Sequence, residues 1–308
     1  MKDSSLFKGI FYVAGAAFCW SIGGVLLKLV NAGVGAISAW RYLSGLIAIM
    51  TLNRSLPVFR IKDKNGSVDK KSTILLWLGG IAFACASFLY ACANKYTTAA
   101  NAILLQYTNP IWIIIFGPLL LKEKNRYIDF LAIGGVLTGM VLFFASELKN
   151  PDALNQTKIF GNCCAIISGF FLAFYTMIMR MQKSGKSIES SMLSQLIGLI
   201  FTCPFLFISP IPDCKSLVFL ILTGIINGAL AIFLYPLGLK KIPALTASLI
   251  SMIEPILNPI WVFLFAGEIP SFSCIAGGFL ILGFVAFRII YIEKTKTKNF
   301  AQVNNQSL

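Results

Sequence analysis

Residues 251–265 read SMIEPILNPIWVFLF. An acid, Glu254, stands in an otherwise almost wholly apolar stretch, with Pro255 and Pro259 directly after it. The apolar run around it extends from 243 to 266, and Glu254 is residue 12 of those 24. About 20 apolar residues span a bilayer core as a helix, so this acid is expected near the middle of a membrane span. Composition supports that solvent. Of 308 residues, 57% are hydrophobic and 12% charged, against about 25% charged in soluble domains. The mean hydropathy is +0.80.

Nine further apolar runs accompany this one. The spans read 9–30, 34–52, 73–94, 98–121, 127–146, 158–181, 189–209, 216–239, 243–266 and 271–292. Backbone groups in lipid must be satisfied within the segment, so each span is expected to be a helix. The first is read as a retained span rather than a cleaved signal. The longest connection, 53–72, is polar and basic, and the stretch after Ile292 is expected to be disordered.

The net charge of +14 has a topological explanation. With the N-terminus cytoplasmic, 20 lysines and arginines fall on the inner side and four on the outer, with Lys28 and Arg41 set aside as lying within or near spans. This bias places both termini inside. The basic residues are scattered between apolar runs with no interleaved aromatic patch, which argues against nucleic acid. The eight cysteines form no CxxC pair and the chain has no histidine, so no metal site is expected, and the cysteines read as small buried apolar residues.

The chain repeats itself. Residues 88–123, shifted by 145, match 233–268 at 12 of 36 positions, among them Tyr90 with Tyr235, Lys95 with Lys240, Pro110 with Pro255 and Glu123 with Glu268. The unit is five spans. Five is odd, so the second copy enters the membrane in the opposite sense. Inverted repeats with a midplane site are characteristic of secondary transporters. The expected fold is therefore all-α integral membrane, with ten transmembrane helices as two inverted five-helix repeats. Its parts are 1–150, 151–292 and a cytoplasmic tail, 293–308.

Two stretches carry a family resemblance: YTTAANAILLQYTNPIWIIIFGPLLLKEK (96–124) and IPALTASLISMIEPILNPIWVFLFAGEI (242–269). Each resembles the fourth-helix signature of the EamA-type branch of the drug/metabolite transporter superfamily, with small residues, a mid-helix proline and a closing glutamate. AWRYLSGLIAI (39–49) is similar to the second helix of that family. The resemblance covers about 8–292. It implies a ten-helix carrier in the cell's inner membrane for a small organic metabolite: an amino acid, a nucleotide-like molecule, a vitamin or a drug. It implies export by alternating access, with no cofactor and no covalent chemistry. The carrier is read as a monomer or homodimer. The alternative is a non-transporting receptor, or a membrane enzyme with an unrecognised site. No nucleophile elbow, P-loop or Asp-rich magnesium motif is found.

A charge at mid-membrane costs about 2.5–3.5 kcal/mol on insertion scales, so Glu254 should face the interior and be protonated or paired. It either serves substrate or proton binding or caps a broken helix. Helical spacing puts Ser251, Glu254, Asn258 and Trp261 on one face, with Gln106 and Asn109 as repeat mates of Ser251 and Glu254. Trp20, Tyr90, Tyr175 and Tyr235 are aromatic candidates for the same substrate-binding wall. Pro110, Pro255 and Pro259 either curve their helices or act as hinges. A proton partner would act through Glu254. Lys28 and Arg41 read as snorkelling toward headgroups or attracting anions at the outer mouth. Gly135-xxx-Gly139 and Gly224-xxx-Gly228 are expected to allow close helix contact.

Overall fold

The computed structural model describes residues 2–28, 30–63, 66–97, 99–143, 156–182, 187–266 and 272–305. Among these the chain is helical, with no strand beyond one isolated bridge between Lys62 and Val68. The helices are α1 Lys2–Lys28, α2 Val34–Asn53, α3 Lys70–Tyr96, α4 Ala99–Gln106, α5 Asn109–Leu121, α6 Tyr127–Phe143, α7 Gln156–Met181 and α8 Ser187–Thr202. They continue as the one-turn α9 Phe205–Ile208, α10 Cys214–Ile225, a π-helical segment Ile226–Ala231, α11 Ile232–Leu239, α12 Ala244–Ile250, α13 Ile253–Ala266 and α14 Phe272–Asn305.

Seven described helical stretches are long and apolar enough to cross a membrane, and Tyr127–Phe143 and Ala244–Leu257 are shorter apolar helices. Their outer faces are apolar: Phe201 is 78% exposed and Leu119 75%. Soluble proteins rarely leave large apolar patches in water, and acyl chains solvate such faces. The chain is a multi-pass membrane protein.

Small residues set the helix contacts. α6 lies along α14. A Cβ built on Gly277 would stand 2.4 Å from Phe143 N, and one on Gly139 would stand 2.8 Å from Ile281 Cγ1. On the other side of the bundle, α2 lies along α10 and the π segment. A Cβ on Gly224 would stand 2.7 Å from Arg41 O, and one on Gly228 3.3 Å from Gly45 Cα. Both GxxxG pairs thus bring backbones together where no side chain fits, as dispersion-driven packing in lipid favours. α3 packs on α7 and α8, and α1 on α11, α13 and the π segment.

Two arginines are tied to acids. Arg288 is 3% exposed within α14 and pairs at 2.8 Å with Asp129, itself 3% exposed, while donating to Thr246 Oγ1 at 2.8 Å. Counted from sequence with the cytoplasmic loops, Arg288 is instead a buried clamp joining α14, α6 and α12. Arg180 pairs with Glu123 at 3.0 Å and donates to Leu239 O at 2.8 Å, joining the C-terminal ends of α7, α5 and α11. The sequence places all three ends on the cytoplasmic side.

One local expectation changes. α14 continues to Asn305 where disorder is expected after Ile292. Extending an existing helix avoids the nucleation cost, and no glycine or proline follows Gly283 before Asn305 to stop it. The 53–72 connection folds back on the bundle: Ile61 is buried, Trp77 Nε1 donates to Phe59 O at 3.0 Å, and Asp69 caps α3 by accepting from Ser72 N. The described cysteines are all free.

Candidate functional site

The helix pairs α4/α5 and α12/α13 are two broken helices. The first breaks at Tyr107-Thr108 and the second at Ser251-Met252. A proline lies just beyond each break. It has no N–H to give the carbonyl four residues back and crowds that carbonyl with its ring. Pro110 therefore frees Gln106 O, and Pro255 frees Ser251 O. The two openings have different partners. Gln106 O sits against Gly169 of α7, where a Cβ would come within 2.5 Å of it. Only glycine permits that approach. Ser251 O accepts from Glu254 N at 3.0 Å and from the Tyr107 hydroxyl at 2.8 Å.

Tyr107 is the residue at which the two breaks meet. It is 2% exposed, and its hydroxyl lies 2.6 Å from Glu254 Oε2 as well. A second bond runs alongside: Ser248 Oγ on α12 donates to Asn109 Oδ1 on α5 at 2.7 Å. The break of each helix is thus bonded to the break of its repeat mate. Discontinuous helices of this kind are where irregular backbone is tolerated at membrane depth, because the freed groups find protein or ligand partners.

Aromatic rings gather beside this junction. Trp20 and Tyr235 have centroids 5.1 Å apart, Tyr175 stacks on Tyr235 at 6.2 Å and 14°, and Phe83 meets Tyr175 at 4.6 Å. Their polar ends are satisfied: Tyr235 Oη lies 3.0 Å from Thr176 Oγ1, and Tyr175 Oη 3.0 Å from Ser191 Oγ. Tyr90 is partly buried against the same core.

Several expected members do not join this group. The Ser251–Trp261 face presumes one continuous helix, and the break at Ser251-Met252 undoes that spacing. Trp261 instead donates from Nε1 to Ser21 Oγ at 3.0 Å and meets Phe18 edge-on, tying α13 to α1. Gln106 donates to Ser168 Oγ at 2.8 Å, which in turn donates to Ala86 O at 2.7 Å. Its amide ties α4 to α7 and α3. The side chains of Asn258, Pro259 and Lys28, and all of Glu268, lie outside the described residues.

Two residues escaped the sequence reading. Tyr107 falls opposite Met252 in the repeat register, which hid it, although it stands three residues before Pro110 at the break. Glu189 has Oε2 buried without a hydrogen-bond partner. Arg41, read as snorkelling or as attracting anions, is half-buried, and its Nε is buried without a hydrogen-bond partner.

Among the described residues, no three acids or cysteines come together in a way that could hold a metal ion. What the site offers is one carboxyl, four tyrosines, an indole and two interrupted helices.

Apolar spans of this length and number, with two helices broken midway, define a polytopic membrane protein built around an internal polar junction. The chain matches the EamA-like transporter family over residues 7–145 and 159–290, and it belongs to that family of membrane transporters. It is similar to human solute carrier family 35 member G1, 25% identical over 289 residues that cover 89% of this chain and 76% of that protein. It is also similar to the uncharacterized transporter YyaM of Bacillus subtilis, 25% identical over 292 residues, with 89% and 93% covered. An uncharacterized transporter of Clostridium kluyveri is 27% identical over 227 residues, 70% of each chain. A solved crystal structure superposes with a TM-score of 0.75 over 94% of this chain and 99% of that one, at 18% identity, a likeness of fold.

Proposed function

We propose that the protein is a secondary carrier that exports a small organic metabolite by alternating access, coupled to protons through Glu254. It would have ten transmembrane helices in two inverted halves, 1–150 and 151–292, in the cell's inner membrane. Both termini would lie in the cytoplasm. The substrate would be held by Trp20, Tyr90, Tyr175, Tyr235, Ser251 and Glu254, with Tyr107 added. Pro110 and Pro255 would be the hinges.

The observation that carries this reading is the Tyr107 hydroxyl between Ser251 O and Glu254 Oε2. A phenol has one proton. When Glu254 is ionised, Tyr107 gives that proton to the carboxylate, in a short charge-assisted bond. When Glu254 is protonated, the carboxyl donates to the phenol oxygen, and the phenol proton turns to Ser251 O. Protonation thus adds a hydrogen bond across the break of the second helix. A proton taken up on one side of the membrane would change how tightly the two broken helices are held together. That supplies a differential interaction between two states, which any ligand-driven conformational change requires. The Arg180–Glu123 pair and its bond to Leu239 O fit a closed cytoplasmic end in this state.

The test is flux in liposomes carrying the purified protein. Imposing a pH gradient should drive uptake or release of a transported metabolite by the unaltered protein. In Glu254→Gln the gradient should drive no net flux, while exchange of substrate for substrate continues. Equal gradient-driven flux in both proteins overturns the coupling. An absence of flux for every compound that binds overturns transport.

A further inference from the structure

The corner where α5 passes into α6 reads KEKNRYID, from Lys122 to Asp129. Both of its acids are held from within the protein, Glu123 by Arg180 and Asp129 by Arg288. Lys122, Lys124 and Arg126 are exposed, and among the described residues none of them pairs with an acid. The helix packed along α6 is α14, and Lys294, Lys296 and Lys298 follow in its sequence. The corner thus carries positive charge that the protein does not neutralise.

A cavity of about 370 Å³ opens beside it, lined by Arg126, Tyr127, Ile128, Leu131, Tyr291 and Thr295. Small-molecule sites run from about 300 to 1,000 Å³. Helix geometry gives its depth. α6 has 17 residues, about 25 Å by helical rise, so its first turn stands at one edge of the hydrocarbon layer. Tyr291 lies one residue from the end of the apolar stretch Ile275–Ile292, at the same edge. Arg126 is fixed at the rim, because its backbone N–H donates to Asp129 Oδ2 at 2.7 Å while Oδ1 accepts from Arg288 Nε at 2.8 Å. One carboxylate anchors both walls of the cavity. The Arg126 guanidinium makes no bond among the described residues, and neither do the hydroxyls of Tyr127 and Tyr291. The rim therefore offers positive charge and hydrogen-bond donors. One turn deeper, Leu131 and Phe287 are exposed and continue an apolar surface toward the bilayer centre.

We infer that this cavity holds the headgroup of an anionic phospholipid, with its phosphate on Arg126 and its first acyl carbons against Leu131 and Phe287. A guanidinium takes a phosphate through two parallel bonds. Tyrosine suits the level between, since its ring is apolar and its hydroxyl polar. Basic pockets between helices at a membrane surface select anionic headgroups. A zwitterionic lipid brings a second cation close to Lys122 and Lys124, which repel it. A soluble phosphate leaves Leu131 and Phe287 uncovered. The inference is independent of the transport reading, since the cavity lies apart from the Tyr107–Glu254 junction.

The experiment uses the full chain purified in detergent and two short-chain lipids with identical acyl chains, phosphatidylglycerol and phosphatidylcholine, with glycerol 1-phosphate as a third probe. Thermal unfolding against concentration gives each dissociation constant, since a ligand of the folded state raises its stability as RT ln(1 + [L]/Kd). Phosphatidylglycerol should bind about fivefold tighter than phosphatidylcholine, the worth of one basic residue at an anionic surface. Arg126→Gln should reduce that ratio to about one, and Arg126→Lys, which keeps the charge without the fork, should fall between. Arg60→Gln, which removes an exposed charge outside the cavity, should leave the ratio unchanged. Unliganded melting checks that each variant folds, which the absence of bonds to the Arg126 guanidinium predicts. Equal binding of the two lipids to the unaltered protein overturns the inference. So does an equal loss of preference in Arg126→Gln and Arg60→Gln, which would mean diffuse surface charge. Glycerol 1-phosphate binding as tightly as phosphatidylglycerol would make the ligand a soluble phosphate and overturn it too.

Discussion

The Tyr107 hydroxyl lies 2.6 Å from Glu254 Oε2 and 2.8 Å from Ser251 O, so one side chain of the first half spans the break in the second. Removing only that oxygen, in Tyr107→Phe, takes from the Glu254 carboxyl its side-chain partner and leaves Ser251 O only its bond from Glu254 N. A buried group left unpaired costs about 1–3 kcal/mol. The variant should melt at lower temperature by a corresponding amount, and its proton-driven flux should fall far more than its ligand binding does. A loss of binding equal to the loss of flux would reassign Tyr107 to substrate contact alone.

The Asp129–Arg288 clamp predicts an asymmetric pair of variants. Arg288→Ala leaves Asp129 buried and uncompensated, a loss of about 3–5 kcal/mol. Replacing both partners by apolar residues, Asp129→Leu with Arg288→Met, should recover much of it, because no charge then remains to be solvated. Unfolding in a mixed-detergent titration measures the difference. Equal destabilisation by the single and double changes would contradict the clamp.

Glycines on α6 and α14 separate by surroundings. A Cβ at Gly134 meets nothing within 4 Å, whereas one at Gly277 meets Phe143 N at 2.4 Å. Gly134→Ala should be neutral or stabilising by up to about 1 kcal/mol, the helix preference for alanine. Gly277→Ala should push α14 off α6 and lower both yield and melting temperature. Comparable behaviour of the two would show that the helices pack differently.

The Glu123–Arg180 pair predicts a change in accessibility. In Glu123→Ala the Arg180 fork keeps only its bond to Leu239 O. A cysteine placed at Leu121 should then react faster with a membrane-impermeant thiol reagent added from the cytoplasmic side. An unchanged rate would mean that the pair does not hold that end closed.

How much of this was legible in the sequence depends on the kind of interaction. Each of the ten apolar runs is helical over most of its length, because lipid leaves the backbone no other way to satisfy itself. Pro110 and Pro255 announced two interrupted helices through the repeat, and Glu254 stood out by its cost. The side-chain face assigned to Ser251, Glu254, Asn258 and Trp261 is interrupted at its first step, because the break at Ser251-Met252 separates Ser251 from the helix that carries the other three. Tyr107 was hidden because one aromatic in an apolar span looks like packing until its partner is located. Arg41 and Arg288 were read as residues of the span ends because depth along a helix does not reveal which neighbours enclose it. Contacts between segments distant in sequence decided all three.

The inverted threading of the two halves is the claim on which the carrier reading depends, and Lys95 with Lys240 tests it most directly. Each is replaced in turn by cysteine in a background lacking the native cysteines, and intact cells are treated with an impermeant thiol reagent. Inverted halves predict that the residue 95 cysteine is labelled from outside and the residue 240 cysteine only after the membrane is opened. Labelling of both from one side would contradict it.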